Sequence, residues 1–267
     1  MWKGKIMATV YPLYSSSSGN CTYIGDANSG VLVDCGVSCK RALEGLALHG
    51  IPVTALRAIC VTHTHDDHVK GLKVLTKKYP IRVIALQTNL EILAQKDMVS
   101  PLCELIPVDG GSVPLDDIEI NAFETMHDTP ANCGYTFTLA DGKRAAVCTD
   151  LGVVTDTVRG ALSGVDMALI EANFDKLMLK NGYYPEQLKR RIASDHGHLS
   201  NDDSGELARF LLRSGTTRLC LGHLSEHNNT PLKAERTVVE YLHDAKRGSD
   251  YLLEVASKDL SGLAVVF

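Results

Sequence analysis

His63-Thr64-His65-Asp66-Asp67-His68 gathers three imidazoles and two carboxylates directly after the apolar run Ala58-Ile59-Cys60-Val61-Thr62. The run reads as a buried strand, and in the extended chain beyond it a period of two sends His63 and His65 to the same side. Asp67 and His68 then fall where Val69 to Leu75 starts a helix. Imidazole nitrogens and carboxylate oxygens grouped in this way are the donors that hold transition metals. The competing account is a solvated His-rich turn in which Asp66 or Asp67 caps the helix. With only ten His in 267 residues, chance grouping explains little. A metal site also needs donors from elsewhere, and the chain places them at the ends of further apolar runs. His127 follows Ile118 to Met126, Asp150 follows Arg144 to Thr149, and His223 follows Arg218 to Gly222.

This constellation resembles the metallo-β-lactamase-fold hydrolases, whose sites take H-x-H-x-D-H and then a lone His, a lone Asp and a last His at successive strand ends. Every one of those positions is filled here. The resemblance implies that His63, His65 and His127 hold one metal, that Asp67, His68 and His223 hold a second, and that Asp150 bridges them. A narrower likeness, to the YycJ (WalJ, VicX) group, is carried by four stretches. They are Ser15-Ser16-Ser17-Ser18-Gly19-Asn20-Cys21-Thr22-Tyr23, Leu32-Val33-Asp34-Cys35-Gly36, Tyr184 to Ile192, and Gly197-His198-Leu199-Ser200-Asn201. It runs from about residue 7 to the end of the chain. One departure is plain: in Glu171-Ala172-Asn173-Phe174-Asp175, Phe174 stands where many relatives carry a His, so no role of that His carries over.

Composition fits one globular enzyme domain over residues 1–267, with 45% apolar and 22% charged residues. No apolar run approaches the roughly 20 residues that span a bilayer, and Met1 to Met7 lacks the pattern of a signal peptide, so a cytoplasmic location and no membrane partner are expected. The eight Cys include no C-x-x-C pair and read as free thiols, Cys148 and Cys220 among them as small core residues. A net charge of −5 argues against nucleic-acid binding through a broadly basic surface. Two divalent ions would nonetheless concentrate positive charge in one cleft, where a polyanion can sit.

Strand-like runs alternate with amphipathic stretches along the whole chain, which predicts an α/β protein with helices on sheet faces. A first strand is expected at 7–14. Helices are expected at Ser38 to His49, Val69 to Tyr79, Thr88 to Lys96, Pro185 to Ser194, Asn201 to Ser214 and Leu232 to His243. The four-layer αβ/βα sandwich, with two mixed sheets covered by helices, is what the family resemblance implies.

Ser15 to Asn20 is either an anion-binding turn or a hairpin loop satisfied by its own side chains; the resemblance implies the former, with Ser18 and Asn20 touching substrate. Asp34 is either an ordinary strand-end Asp or, as the resemblance implies, the carboxylate that orients a ligand His. His198 or His227 could protonate a leaving oxygen, a task that suits an imidazole titrating near neutrality. A helix-entry turn is the plainer reading of the His198 segment. Lys189, Arg190 and Arg191 form either a solvated helix face or a phosphate contact, and His49 and His243 read as structural.

Two metals sharing one site lower the pKa of water and stabilise both oxygens of an in-line displacement, which suits phosphodiester hydrolysis. In that chemistry Asp67 would also orient or deprotonate the attacking water. Zinc is the first expectation for the two divalent ions, with manganese or iron as alternatives. The group resemblance implies a nuclease, exonuclease-like and acting on DNA, with nucleic acid as partner. A hydrolase of small phosphodiesters or other esters and a metal-holding regulatory protein are the other readings. A complete ligand set disfavours the last, because structural metals are normally closed by four ligands. Oligomeric state is not encoded in any of these features.

Overall fold

The structure is a computed structural model that describes residues 9–267; positions 7 and 8 of the expected first strand lie outside the described residues. Two seven-stranded mixed sheets form its centre. The first contains β1 (Thr9–Tyr14), β2 (Cys21–Gly25), β3 (Gly30–Val33), β4 (Leu56–Cys60), β5 (Arg82–Ala85), β6 (Leu105–Pro107) and β14 (Val265–Val266), in the order β14-β1-β2-β3-β4-β5-β6. The second contains β7 (Val113–Leu115), β8 (Ile118–Glu124), β9 (Cys133–Thr138), β10 (Arg144–Cys148), β11 (Met167–Glu171), β12 (Arg218–Gly222) and β13 (Leu252–Val255), in the order β13-β12-β11-β10-β9-β8-β7. Strands β3 to β6 and β10 to β13 run parallel, while β1 to β3 and β7 to β10 pair antiparallel. Parallel strands covered on both faces read as continuous apolar runs. That is why β4, β10, β11 and β12 stand out in the sequence.

Three apolar cores separate four layers. Val10, Val31, Val33, Cys60 and Ile84 of the first sheet meet Ile120, Tyr135, Phe137, Val147 and Leu169 of the second. The outer face of the first sheet packs on α1 (Cys39–Leu48), α3 (Leu72–Lys78) and α4 (Gln87–Gln95) through Leu46, Leu72, Leu75 and Leu93. The outer face of the second sheet packs on α5 (Asp156–Leu162), α8 (Asn201–Arg213) and α9 (Pro231–Tyr241) through Val158, Leu207, Leu211 and Val238. Short helices α2 (Asp66–Val69), α6 (Lys176–Asn181) and α7 (Glu186–Ile192) lie at or beside the sheet ends.

The expected helix from Val69 to Tyr79 is corrected. It divides into α2, which already starts at Asp66, and α3, because Gly71, packed against Val37, gives its N–H to the Cys35 carbonyl at 2.8 Å while the Asp67 carbonyl accepts from Asn20 at 2.8 Å. Helices α5 and α6 and strand β7 carry no clear periodic signal in the sequence. The two helices have only seven and six residues, too few to show a period. Seven of the eight Cys are buried and all are free. Among the described residues no helix is long and apolar enough to cross a membrane.

The turn at α2 is clamped by the loops after β1 and β3. Asn20 donates its backbone N–H to the Asp67 carbonyl at 2.8 Å, Gly36 donates to Asn20 O at 2.8 Å, and Cys35 donates to His68 O at 2.8 Å. A Cβ at residue 36 would fall 1.5 Å from the Asp67 carbonyl oxygen. Gly36→Ala should therefore cost about 2–3 kcal/mol, at the upper end of overpacking penalties. A urea-unfolding midpoint equal to that of the parent would contradict this packing.

Candidate metal centre

Asp34, Asp150 and His223 each follow a strand, and each adopts a left-handed backbone, with φ of 60°, 59° and 54°. This conformation is uncommon outside glycine and typically costs about 1–3 kcal/mol when the surroundings force it. Local hydrogen bonds hold it here. Asp34 N–H donates to Cys60 O at 2.8 Å, and the Asn132 side-chain amide donates to Asp150 O at 2.5 Å. His223 N–H donates to Ser15 Oγ at 2.8 Å, while the Asn173 amide donates to His223 O at 2.9 Å.

Four imidazoles, His63, His68, His127 and His223, are anchored through Nδ1 and direct Nε2 into the cluster. His68 Nδ1 bonds Asp34 Oδ2 at 2.8 Å, and Asp34 itself accepts from the N–H and hydroxyl of Thr62. His68 Nε2 then faces Asp150 at 3.3 Å and Asp67 at 3.4 Å. His223 Nδ1 bonds Glu171 Oε1 at 2.8 Å, leaving Nε2 at 3.3 Å from Asp150 and 3.6 Å from Asp67. His127 Nδ1 bonds the Gly197 carbonyl at 3.0 Å. His63 Nδ1 lies 3.0 Å from Thr62 Oγ1, and its Nε2 lies 3.1 Å from His65 Nδ1. Fixing the rear nitrogen of a ligand His sets its tautomer and ring direction.

The front atoms form compact groups whose donors lie within 4.8 Å of one another: His63 with His65 and His127, Asp67 with His68 and His223, and His63 with His68 and Asp150. Asp150 Oδ2 and His223 Nε2 are buried without a hydrogen-bond partner among the described residues. Orphaned buried polar atoms are rare and costly. Two of them inside a mixed imidazole–carboxylate cluster, with their nearest ion-pair partners at 3.3 Å, fit a divalent metal.

The electrostatics divide the cluster. Burial lowers His63 well below its ordinary value, helped by the charge of His68, and burial likewise lowers His127, so both present free lone pairs. Burial alone would also lower His68 and His223, but facing carboxylates outweigh it. His68 is raised well above its ordinary value by Asp150, Asp34 and Asp67, and His223 is raised to about 10, chiefly by Asp150. Burial pushes Asp67 and Asp150 up, yet the neighbouring imidazolium charges hold both well below the carboxylate range.

Of the residues singled out in the sequence, His63, His65, Asp67, His68, His127, Asp150 and His223 come together, with Asp34 behind His68. His198 joins them: its Nδ1 bonds Glu171 Oε1 at 2.8 Å and lies 3.7 Å from Asp150 Oδ1. His227 is exposed and lies edge-on to the rings of Tyr183 and Tyr184, with centroids 5.5 and 6.0 Å away. Asn20 is buried with its amide nitrogen 3.1 Å from His68 Nε2, whereas the Ser18 hydroxyl donates to Glu226 at 2.9 Å. The loop is thus both satisfied by its own side chains and in contact with the cluster, through Asn20 and through Ser15. Arg191 differs from a simply solvated residue, because it pairs with Asp128, whose Oδ1 lies 3.3 Å from His127 Nε2.

Three contributors lie outside the sequence motif. Glu171 is fully buried and accepts from both His198 and His223 through Oε1, and from the N–H groups of Leu151 and Leu199 through Oε2. Its signal was an acidic residue ending an apolar strand. Ser15 lies in the polar turn that the sequence singled out, though not for a contact with His223, and Asp128 carries no comparable signal.

A four-layer sandwich with this donor cluster at the strand ends defines a metallo-β-lactamase-fold protein. The chain belongs to that superfamily: residues 30–224 match the beta-lactamase superfamily domain. It is 36% identical over 239 residues to exodeoxyribonuclease WalJ of Streptococcus pneumoniae serotype 2, covering 88% of each chain. It is 33% identical over 248 residues to exodeoxyribonuclease YycJ of Bacillus anthracis, covering 92% of this chain and 94% of the other. Among solved structures, the metallo-beta-lactamase fold protein YhfI from Bacillus subtilis matches 98% of this chain and 100% of its own, with a TM-score of 0.73 and 17% identity. That last likeness concerns the fold.

His223 is lifted from 6.5 to about 10, so in metal-free protein its charged contacts stabilise the fold fully below pH 6.5 and lose that effect as pH rises through 10. Chelator-treated protein should therefore melt at progressively lower temperature across that interval. Circular dichroism melts that stay level from neutral pH to pH 10 would show that these contacts add nothing to stability.

Proposed function

We propose that this protein is a cytoplasmic, dinuclear metal-dependent phosphodiesterase that acts on DNA as an exonuclease. The observation that carries the reading is the convergence of seven imidazole and carboxylate side chains on one edge, with Asp150 Oδ2 and His223 Nε2 buried and without a hydrogen bond among the described residues. Two relatives that it matches over 88% and 94% of their length, named exodeoxyribonucleases, support DNA as the substrate class. His63, His65 and His127 would hold one divalent ion and Asp67, His68 and His223 the other, with Asp150 between them. Zinc suits this all-nitrogen and oxygen set, and manganese or iron are the alternatives. Bound in pairs, such ions supply an activated water and neutralise charge on the scissile phosphate.

The chain's own residues supply the remainder. Asp67 is ionised and partly open to solvent, so its carboxylate can orient the attacking water and accept its proton. Enclosure alone would lower His198, but the Glu171 carboxylate outweighs it and raises the imidazole above its ordinary value. That shift favours the protonated imidazole, the state required of a general acid at the leaving oxygen. Glu171 orients that imidazole, and Asn20 sits at the opposite rim beside His68.

The deciding experiment is cleavage of end-labelled DNA by metal-loaded protein, with metal content measured in parallel. Parent protein should carry close to two ions per chain, and His65→Ala and Asp150→Ala should lose both metal and activity. Metal-free protein that takes up no ion on reconstitution would end the proposal. Asp67→Asn keeps a coordinating oxygen but cannot take the proton, so at full metal loading its rate should fall by roughly 10² or more. A fully loaded variant with parental turnover would remove Asp67 as the base. His198→Ala should slow cleavage of DNA far more than cleavage of bis(p-nitrophenyl) phosphate, whose nitrophenolate leaves without a proton. Equal slowing on the two substrates would assign His198 to binding instead.

A further inference from the structure

A cavity of about 590 Å³ opens beside the metal centre between α6 and α7, and His198 forms part of its wall. Phe174, Leu179 and Ala193 give it apolar lining, and Gly152 brings its backbone close, since a Cβ at that residue would fall 2.2 Å from the Ser194 carbonyl oxygen. Four cations border it, Lys176, Lys180, Lys189 and Arg190, against two carboxylates, Glu186 and Asp203. Lys176 lies 3.5 Å from Asp202 and 3.8 Å from Asp203, and Lys189 lies 3.0 Å from Glu186. Lys180 and Arg190 are exposed, and neither side chain has a partner among the described residues. On a chain of net charge −5, this is a local positive basin with an apolar interior, contiguous with the reacting edge.

We propose that the α6–α7 cavity is a nucleotide subsite: it takes the base next to the scissile bond against Phe174 and Leu179, while Lys180 and Arg190 hold a neighbouring phosphate. The inference rests on the nuclease reading and assigns its substrate a place. The cavity lies within the 300–1,000 Å³ range of ligand sites, where an apolar lining supplies contact area and a few charged groups fix orientation. A nucleotide meets both demands, since every base has an apolar face and every linkage carries a negative charge. His198, held by Glu171 and 3.7 Å from Asp150, is the shared wall between this subsite and the donor cluster.

The test is binding of a fluorescein-labelled single-stranded DNA, with phosphorothioate linkages that resist cleavage, to metal-loaded protein over a range of KCl concentrations. Lys180→Ala/Arg190→Ala should raise Kd about tenfold or more and reduce the slope of log Kd against log salt by roughly 1.4, the value for two lost contacts to a single strand. Ala193→Trp, at an exposed position on the cavity wall, should raise Kd by a similar factor while leaving the slope unchanged, because it fills the cavity without removing charge. Lys143→Ala/Arg213→Ala, which removes two surface cations elsewhere, should bind like the parent. The charge-conserving pair Lys180→Arg/Arg190→Lys separates charge from shape, since it should recover the slope that the alanine pair loses. Melting temperatures within a few degrees of the parent establish that each variant is folded, and any that fails is replaced by Ala193→Phe or Arg190→Gln. Parental Kd and slope in the alanine pair, or parental Kd in Ala193→Trp, overturn the subsite even if DNA is cleaved. Tight, variant-sensitive binding without cleavage of ordinary DNA overturns the nuclease reading and leaves the subsite standing.

Discussion

A buried carboxylate with a bare oxygen amid four imidazoles is the constraint on which the rest of this structure depends. Asp150 lies 3.3 Å from His68 and His223, 3.7 Å from His198 and 3.8 Å from His127. Taking such groups out of water is costly unless each finds compensating charge and hydrogen bonds. The compensation is assembled from behind: Asp34 fixes His68, Glu171 fixes His198 and His223, and the Gly197 carbonyl fixes His127. Those supports in turn require strand ends to finish in register and three of them to turn through left-handed backbone. Two rigid sheets with interlocked cores provide that precision, which isolated loops could not.

Glu171 is the most economical of these supports. One oxygen accepts from two imidazoles and the other from two backbone N–H groups, so a single buried side chain orients both His198 and His223. The orientation of His198 cannot change independently of His223. Asn173, Asn201 and Asn229 extend the same rigidity outwards, with Asn229 donating to the Ala172 and Asn173 carbonyls and paired with Asn201.

The donor cluster was legible in the sequence because its members sit just past long apolar strands, where a period of two and a change of polarity coincide. The sandwich was legible only through resemblance, since alternating strands and helices do not say which sheet a strand joins. What stayed hidden depended on tertiary contact. Glu171 looked like an ordinary strand end until β11 brought it behind two imidazoles. Gly71 gave no local sign that the Cys35 carbonyl would take its N–H and split a helix. Only the family-like stretch around it set His198 ahead of His227 in the sequence, and contact decides between them: one faces Asp150, the other lies edge-on to Tyr183 and Tyr184.

The two sheets contribute unequally to the groups His63–His65–His127 and Asp67–His68–His223, and neither sheet completes either of these two alone. His63 and His65 follow β4 in the first sheet, whereas His127 follows β8 in the second; Asp67 and His68 belong to the first side and His223 to the second. An ion held by either group would therefore be a clasp across the seam between the halves, in series with the apolar layer of Val33, Ile84, Tyr135 and Phe137. Because such a ligand binds only the docked arrangement, mass action would transmit its concentration to the seam itself. Removing the ions would thereby loosen the docking of the two halves as well as withdraw the chemistry.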